Sequence, residues 1–335
     1  NGTAIVATDV PDLKWETTFN LNVGIDFGLN NDRLSGSLDV YRNKTRDLLL
    51  RTPPAAPAVD PFQFGNVDAS ILNQGIELSV GYDFVQSANT TFSANFNIAY
   101  NQNEVQDFQS AVNTGAINGQ GLTGAFAQRL ESGRSLFSYY MAVFEGFDGN
   151  GLPIYEDIDG NGVGDPSADK KFVGEDGLPD VTSGLSLNFR SGNWDASTYF
   201  SGQFGFSVYN NTANGFFTGG SIGNSRNVTQ NVVTSGESGS ASADVSTRFL
   251  EKGDFVRFQN ASIGYNVPLT GEGLFKTLRL SLTGQNLFLI TDYSGLDPEV
   301  TSATGDLGSG VPTRGIDWAA YPNPRTITFG LNASF

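Results

Sequence analysis

The chain of 335 residues carries 35 acidic against 19 basic side chains, a net charge of −16, and contains neither histidine nor cysteine. Those absences exclude a Ser-His-Asp triad, a Cys-His pair, a His- or thiolate-ligated zinc and a disulfide framework, and the acidic balance argues against a nucleic-acid partner, which wants a basic face. No apolar run reaches the ~18 residues of a membrane-spanning helix, whereas 41 glycines, 26 phenylalanines and 11 tyrosines suit half-buried strands and loops.

In chain order, Phe19, Leu21, Val23, Ile25, Phe27 and Leu29 alternate with Thr18, Asn20, Asn22, Gly24, Asp26 and Gly28. This period of two predicts a strand with one apolar and one polar face. An Asn30-Asn31-Asp32 turn leads to Leu34, Leu38 and Val40. Ile76, Leu78, Val80, Tyr82 and Phe84 come next, set against Glu77, Ser79, Gly81 and Asp83. A turn from Gln86 to Asn89 precedes Phe92, Ala94, Phe96, Ile98 and Tyr100. Leu185, Leu187 and Phe189 turn at Ser191-Gly192 into Trp194, Ala196, Phe200, Phe204 and Phe206. Ala261, Ile263, Tyr265 and Val267 pass through Pro268 to Lys276 into Leu278, Leu280 and Leu282. The last strand places Ile327, Phe329, Leu331, Ala333 and Phe335 on one face.

Several runs reach ~9–12 residues, the length a tilted strand needs to cross a bilayer. Strands of soluble domains average ~5–6. A soluble β-sandwich also alternates, but length, regularity and a polar face rich in Gly, Ser and Asn predict an all-β, antiparallel transmembrane β-barrel with a wet lumen. Tight turns alternate with long connections at about 46–73, 105–180, 207–247 and 292–323, and residues 1–14 read as the end of another long loop before barrel residues 15–335. Short periplasmic turns and long extracellular loops give this rhythm and put the C-terminus on the periplasmic side of a Gram-negative outer membrane. The count is roughly nine or ten strands. Nine cannot close alone, because a single-chain bacterial barrel has an even number; Leu136 to Phe144 is the segment that would restore evenness. The chain opens Asn1-Gly-Thr-Ala without Met or a basic leader, so the expectation is that its start was removed or that it is the C-terminal part of a longer polypeptide.

Particular phrases add to this pattern. Asp9-Val-Pro-Asp-Leu-Lys-Trp-Glu16, Arg33 to Leu49, Asn73-Gln-Gly-Ile-Glu-Leu78, Phe249 to Tyr265, Gly284-Gln-Asn-Leu-Phe288, Tyr293-Ser-Gly-Leu-Asp-Pro-Glu-Val300 and Tyr321-Pro-Asn-Pro-Arg325 stand in order along nearly the whole chain. Together they resemble the SusC/RagA-type TonB-dependent transporters of Bacteroidetes outer membranes. The resemblance implies a barrel of about 22 strands that imports oligosaccharides or peptides too large for porins. It also implies a plug domain in the lumen, a SusD-like lipoprotein lid, and TonB with its inner-membrane motor on the periplasmic side. These residues carry no candidate plug and no TonB-contacting segment, so the expectation is a wall and its loops.

One motif points to a metal. Asp157, Asp159 and Asn161, then Gly162, the Val163 carbonyl and Asp165, match the first half of an EF-hand-like calcium loop. The twelfth position holds Ala168 instead of a bidentate Glu, with Asp169 one residue later. Hard oxygen ligands favour calcium over zinc or copper; the plainer reading is a solvated acidic turn. No organic cofactor is expected. Trp15, Trp194, Tyr41, Tyr100 and Tyr265 near strand ends suit interfacial girdles. Phe62, Phe64, Phe216, Phe217, Tyr293 and Trp318 lie in loops, where packing of the loop itself competes with stacking on a solute. Asp26, Asp39, Glu77, Asp83 and Asp195 fall on the polar strand face, toward the proposed lumen, and define no catalytic pair. The chain therefore reads as a non-enzyme. A soluble calcium-binding surface β-protein of adhesin type and a passive porin are the alternatives; detergent-dependent solubility separates the first and an associated plug the second.

Overall fold

A computed structural model describes residues 11–52, 63–117, 122, 124–241, 243–269, 274–300 and 313–335. Nine long strands carry the architecture: β1 (Thr17–Leu29), β2 (Leu34–Thr52), β3 (Gln63–Gln86), β4 (Thr90–Gln106), β5 (Val181–Ser191), β6 (Trp194–Phe204), β7 (Phe255–Asn266), β8 (Thr277–Thr291) and β9 (Thr326–Ser334). They pair in chain order as one antiparallel meander. Each segment predicted from alternation is in it. Among the described residues β1 and β9 each keep one unpaired edge, and with nine strands they run the same way.

The connections sort by end. Asn30-Asn31-Asp32, Ser87 to Asn89, Gly192-Asn193 and the step from β7 to β8 lie at one end of the strands, and the long connections that follow β4, β6 and β8 lie at the other. At the first turn Asn30, Asn31 and Asp32 take φ of 55°, 53° and 60°. Asn and Asp tolerate this left-handed region because their short polar side chains bond locally.

Register lines up the apolar side chains in rows across the sheet. Phe27, Gly36, Val80, Phe96, Leu185, Phe200, Phe258 and Phe288 form one continuous row across β1 to β8. Phe200 and Phe258 stack at 4.4 Å, and Phe288 meets Phe258 edge-on at 5.2 Å. Glycine is needed within the row, since a Cβ at Gly36 would run into the Ser79 carbonyl and the Phe27 ring. Phe92, Phe189, Ala196, Ile263, Leu282 and Phe329 make a second apolar row, nearer the turns.

The buried core lies elsewhere, among the long connections. Ile117, Leu122, Ala127, Tyr139, Met141, Tyr209, Val245, Phe249 and Ile316 pack together. Short strands hold them. Val112–Ala116, Phe126–Leu130, Ser138–Met141 and Lys171–Asp176 form a four-stranded sheet, while Ser207–Asn210 pairs with Leu250–Lys252 and with Ile316–Asp317.

Two expectations are corrected. The connection placed at 46–73 is mostly strand, because β2 and β3 stay paired out to Thr52 and Gln63, leaving 53–62 outside the described residues. The Leu136 to Phe144 segment adds no strand to the wall. Its Tyr139 and Met141 are 0 % exposed in the core of the connections, so the segment is drawn there instead.

Candidate functional site

The wall presents two unlike faces. On one, Val23, Ile25, Ile76, Ile263, Ile327, Phe329 and Leu331 are between 46 % and 68 % exposed. Soluble monomers rarely leave a continuous face of this kind bare, because burying such side chains is the main driving force of folding; exposed faces of this size mark a membrane or a partner. Along β6 the face runs from Trp194, packed at 4.4 Å on Tyr265, to Phe204. That is roughly 33 Å of strand, or ~25 Å of height at a tilt of ~40°, the height of a lipid-facing band. Past Tyr100 the same face turns to Arg42, Gln74 and Gln102, which marks its upper border.

The opposite face is polar, and Asp26, Asp39, Glu77, Asp83 and Asp195 all lie on it. Asp39 stands directly across from Glu77. Asp195 takes both terminal nitrogens of Arg279, at 2.5 and 2.7 Å, and Gly264 leaves the room the guanidinium occupies. Asn103 donates to Asn73 at 2.8 Å. Tyr41, expected in a girdle, belongs here instead: it shares strand parity with Asp39, and its hydroxyl donates to Asn101 at 2.8 Å. Trp194, Tyr265 and Tyr100 share the parity of the apolar face.

Above the wall the long connections lock into a cap. The Tyr139 hydroxyl lies 3.0 Å from the Ser207 carbonyl and 2.5 Å from that of Gly315, so one side chain ties three connections together. Its full burial pushes the phenol far above its ordinary range. Glu175 binds the Ser207 hydroxyl at 2.7 Å and Lys252 at 2.6 Å. At the wall itself, Arg257 of β7 is buried and holds Asp297 at 2.5 Å, Glu299 at 2.9 Å and Asn286 at 2.8 Å. Asn286 sits in a bulge of β8 with φ 49°, which turns its amide toward Asn323 as well. The last connection is thereby pinned down at both ends.

The acidic loop is built of Asx-type turns. Asp157 accepts from the N–H groups of Gly160, Asn161 and Gly162, Asp159 from Asn161, and Asn161 from Val163. Asp165, expected as a ligand, uses its Oδ1 on the Ser167 N–H at 2.7 Å. Asp169 is the residue that the fold brings beside Asp157 and Asp159. Carboxylate oxygens of Asp157, Asp159 and Asp169 lie within 4.8 Å of one another. Calcium–oxygen bonds of 2.3–2.6 Å place opposite ligands about 5 Å apart, so the donor set fits a hard cation. Asp169 is 1 % exposed. Its carboxyl is held below the usual range by the Asp165 N–H, then those of Asp159 and Ile158, which outweigh the burial that acts against them.

Of the loop aromatics, Phe216 stacks on Trp318 at 5.1 Å and Tyr293 donates to Asp317 at 2.7 Å. Both pack the cap. Phe217 borders a cavity of about 710 Å³ with Asn210, Arg248, Glu251 and Asp317. Phe62 lies outside the described residues. A recess of about 320 Å³ where cap meets wall is lined by Glu104, Arg134, Asp176 and Asp180, and burial pushes the Asp176 carboxyl up.

An antiparallel meander with a bare apolar band, a polar inner face and loops gathered at one end is the wall of an outer-membrane-type β-barrel. The chain belongs to the TonB dependent receptor-like β-barrel family, whose model matches residues 1–287. It is 30 % identical to TonB-dependent receptor P3 of Formosa agariphila, covering 100 % of this chain and 36 % of that protein. It is also 30 % identical to TonB-dependent receptor SusC of Bacteroides thetaiotaomicron, covering 97 % of this chain and 32 % of that one. A solved structure of the RagAB peptide transporter superposes with a TM-score of 0.79 at 24 % identity over 99 % of this chain and 37 % of that chain. The SusC/RagA-type resemblance is thus borne out. The chain spans about a third of the length of the relatives it matches.

Proposed function

We propose that this chain forms the C-terminal wall and outer cap of a TonB-dependent importer in a Gram-negative outer membrane. The observation that carries the reading is the exposed apolar band on a nine-stranded sheet whose two edges are unpaired among the described residues. An unpaired edge is a template for further strands, and an even-numbered barrel needs more than these nine. The remaining strands and the plug would come from the rest of the polypeptide, with short turns and the C-terminus facing the periplasm. The cap would face outward beneath a SusD-like lipoprotein lid. Solute, an oligosaccharide or a peptide, would be caught there and released inward when TonB pulls on the plug. On this reading the wall lines the path and performs no chemistry.

The test is uptake. Cells producing the complete protein are expected to accumulate its solute only with functional TonB, and the detergent-extracted polypeptide is expected to have roughly three times the 35.7 kDa of this chain. TonB-independent uptake would favour a passive pore.

The acidic loop supports an accessory reading, that Asp157, Asp159 and Asp169 hold calcium and brace the cap. Calcium is expected to protect residues 145–180 from proteolysis and chelator to expose them. An identical digestion pattern in both conditions would count against it, and Asp157→Asn with Asp159→Asn should abolish the calcium effect.

A further inference from the structure

The four-stranded cap sheet turns one face away from the core, and Asn113, Arg129 and Tyr140 lie on it. Together with Phe126, Ser167 and Lys170 they line a cavity of about 300 Å³ beneath the acidic loop. Its charge runs against its surroundings. Of the other cations in the cap, Lys171, Arg248 and Lys252 each hold a carboxylate, while Arg134 lies over the Phe172 ring and Arg226 donates to the Gly215 carbonyl. Among the described residues neither Arg129 nor Lys170 has an acidic group within ion-pair distance, although the chain carries a net charge of −16. Asp165 and Asp244, whose charges reach Lys170, are turned to other donors: Asp165 to the Ser167 N–H at 2.7 Å and Asp244 to the Tyr155 hydroxyl at 3.1 Å.

Arg129 is also fixed in place. Its guanidinium lies 3.6 Å from the centre of the Tyr140 ring, and its Nε donates to Asn113 Oδ1 at 3.0 Å. Both terminal nitrogens are left without an acceptor among the described residues. Two cations facing one small cavity repel each other, and an oxyanion between them removes that repulsion while accepting charge-assisted bonds. The planar fork of arginine matches a carboxylate or a sulfate, and a lysine beside it adds a point charge.

The geometry points to an oxyanion subsite: Arg129 and Lys170 grip a carboxylate or sulfate group of the solute as it enters beneath the lid. This rests on the importer reading for the identity of the solute, and it makes the cargo acidic.

The experiment uses the complete polypeptide in detergent and measures binding of four probes by calorimetry. Tetragalacturonate is set against its methyl ester and tetraglutamate against tetraglutamine, with inorganic sulfate as competitor. At least one acidic probe is expected to bind about tenfold more tightly than its neutral partner, a margin that two charge-assisted contacts supply. Sulfate should compete, and Arg129→Gln with Lys170→Gln should erase the margin without changing the neutral probe. The sugar and peptide arms tell which kind of cargo carries the acid. Equal binding of acidic and neutral probes, or a margin that survives the double variant, overturns the subsite. So does binding of sulfate alone, since the site would then hold a free ion rather than cargo. TonB-dependent uptake of a neutral solute by the same protein would leave the importer reading intact when the subsite fails.

Discussion

Replacing Arg257 with methionine is expected to destabilise the detergent-extracted protein by about 3–5 kcal/mol, the cost of stranding a buried charge. Arg257 and Asp297 are 2 % and 7 % exposed, so water cannot replace the guanidinium. Among the described residues Asp297 would keep the Glu299 N–H at 3.0 Å and the Asn323 amide at 3.2 Å. The damage should show first in the cap. Tyr293 to Val300 is attached through this cluster, and limited proteolysis should cut there before the wall unfolds. A second variant separates charge from shape. Arg257→Met combined with Asp297→Asn and Glu299→Gln removes all the charges together, and buried ion clusters replaced as a unit often cost little. The combined variant is therefore expected to recover most of the loss. Equal destabilisation in both proteins would mean that packing of the arginine stem, not its charge, holds the connection.

Arg257 also marks the limit of what the sequence discloses. Alternation located all nine wall strands because lipid on one side and water on the other force a strict period of two. The same rule gave the parity of Asp26, Asp39, Glu77, Asp83 and Asp195. It misjudged Tyr41, whose aromatic ring suggested the interface although its position in β2 shares the face of Asp39. Within the long connections the rule has nothing to act on. Strands there are two to six residues long, and their faces are buried by partners far along the chain, as Tyr139 is by Ser207, 68 residues away, and by Gly315, 176 away. A register argument also ends where β2 and β3 stay paired beyond the apolar band, because the register shifts at Asp47 and Leu48-Leu49-Leu50 breaks the period of two. In the acidic loop the motif names Asp157, Asp159 and Asp165, whereas the fold gathers the carboxylates of Asp157, Asp159 and Asp169. Asp169 is drawn inward by three backbone N–H groups, while Asp165 is spent on its own turn. Arg129 and Lys170 are 41 residues apart, and no spacing rule connects them.

Leu187→Arg is expected to cost about 2–4 kcal/mol when folding is measured in lipid vesicles, whereas Asn188→Arg should stay within about 1 kcal/mol. The two positions are adjacent in β5 and differ only in face. Leu187 pairs with Ala94 and Thr198 in the middle of the apolar band, and Asn188 pairs with Ser93 and Ser197 on the polar side. A guanidinium at the first must shed water into hydrocarbon or drag the bilayer thin, while at the second it meets solvent or the plug. Depth supplies an independent check. Trp194→Arg, at the level of the turns, should cost about 0–1 kcal/mol because the charge reaches the headgroups. A soluble β-sandwich predicts a different order: its apolar face would be packed against a second layer, so Leu187→Arg and Trp194→Arg would both be costly, without the relief near the turns that headgroups give. The ranking of three single substitutions therefore decides which solvent the apolar face was built for.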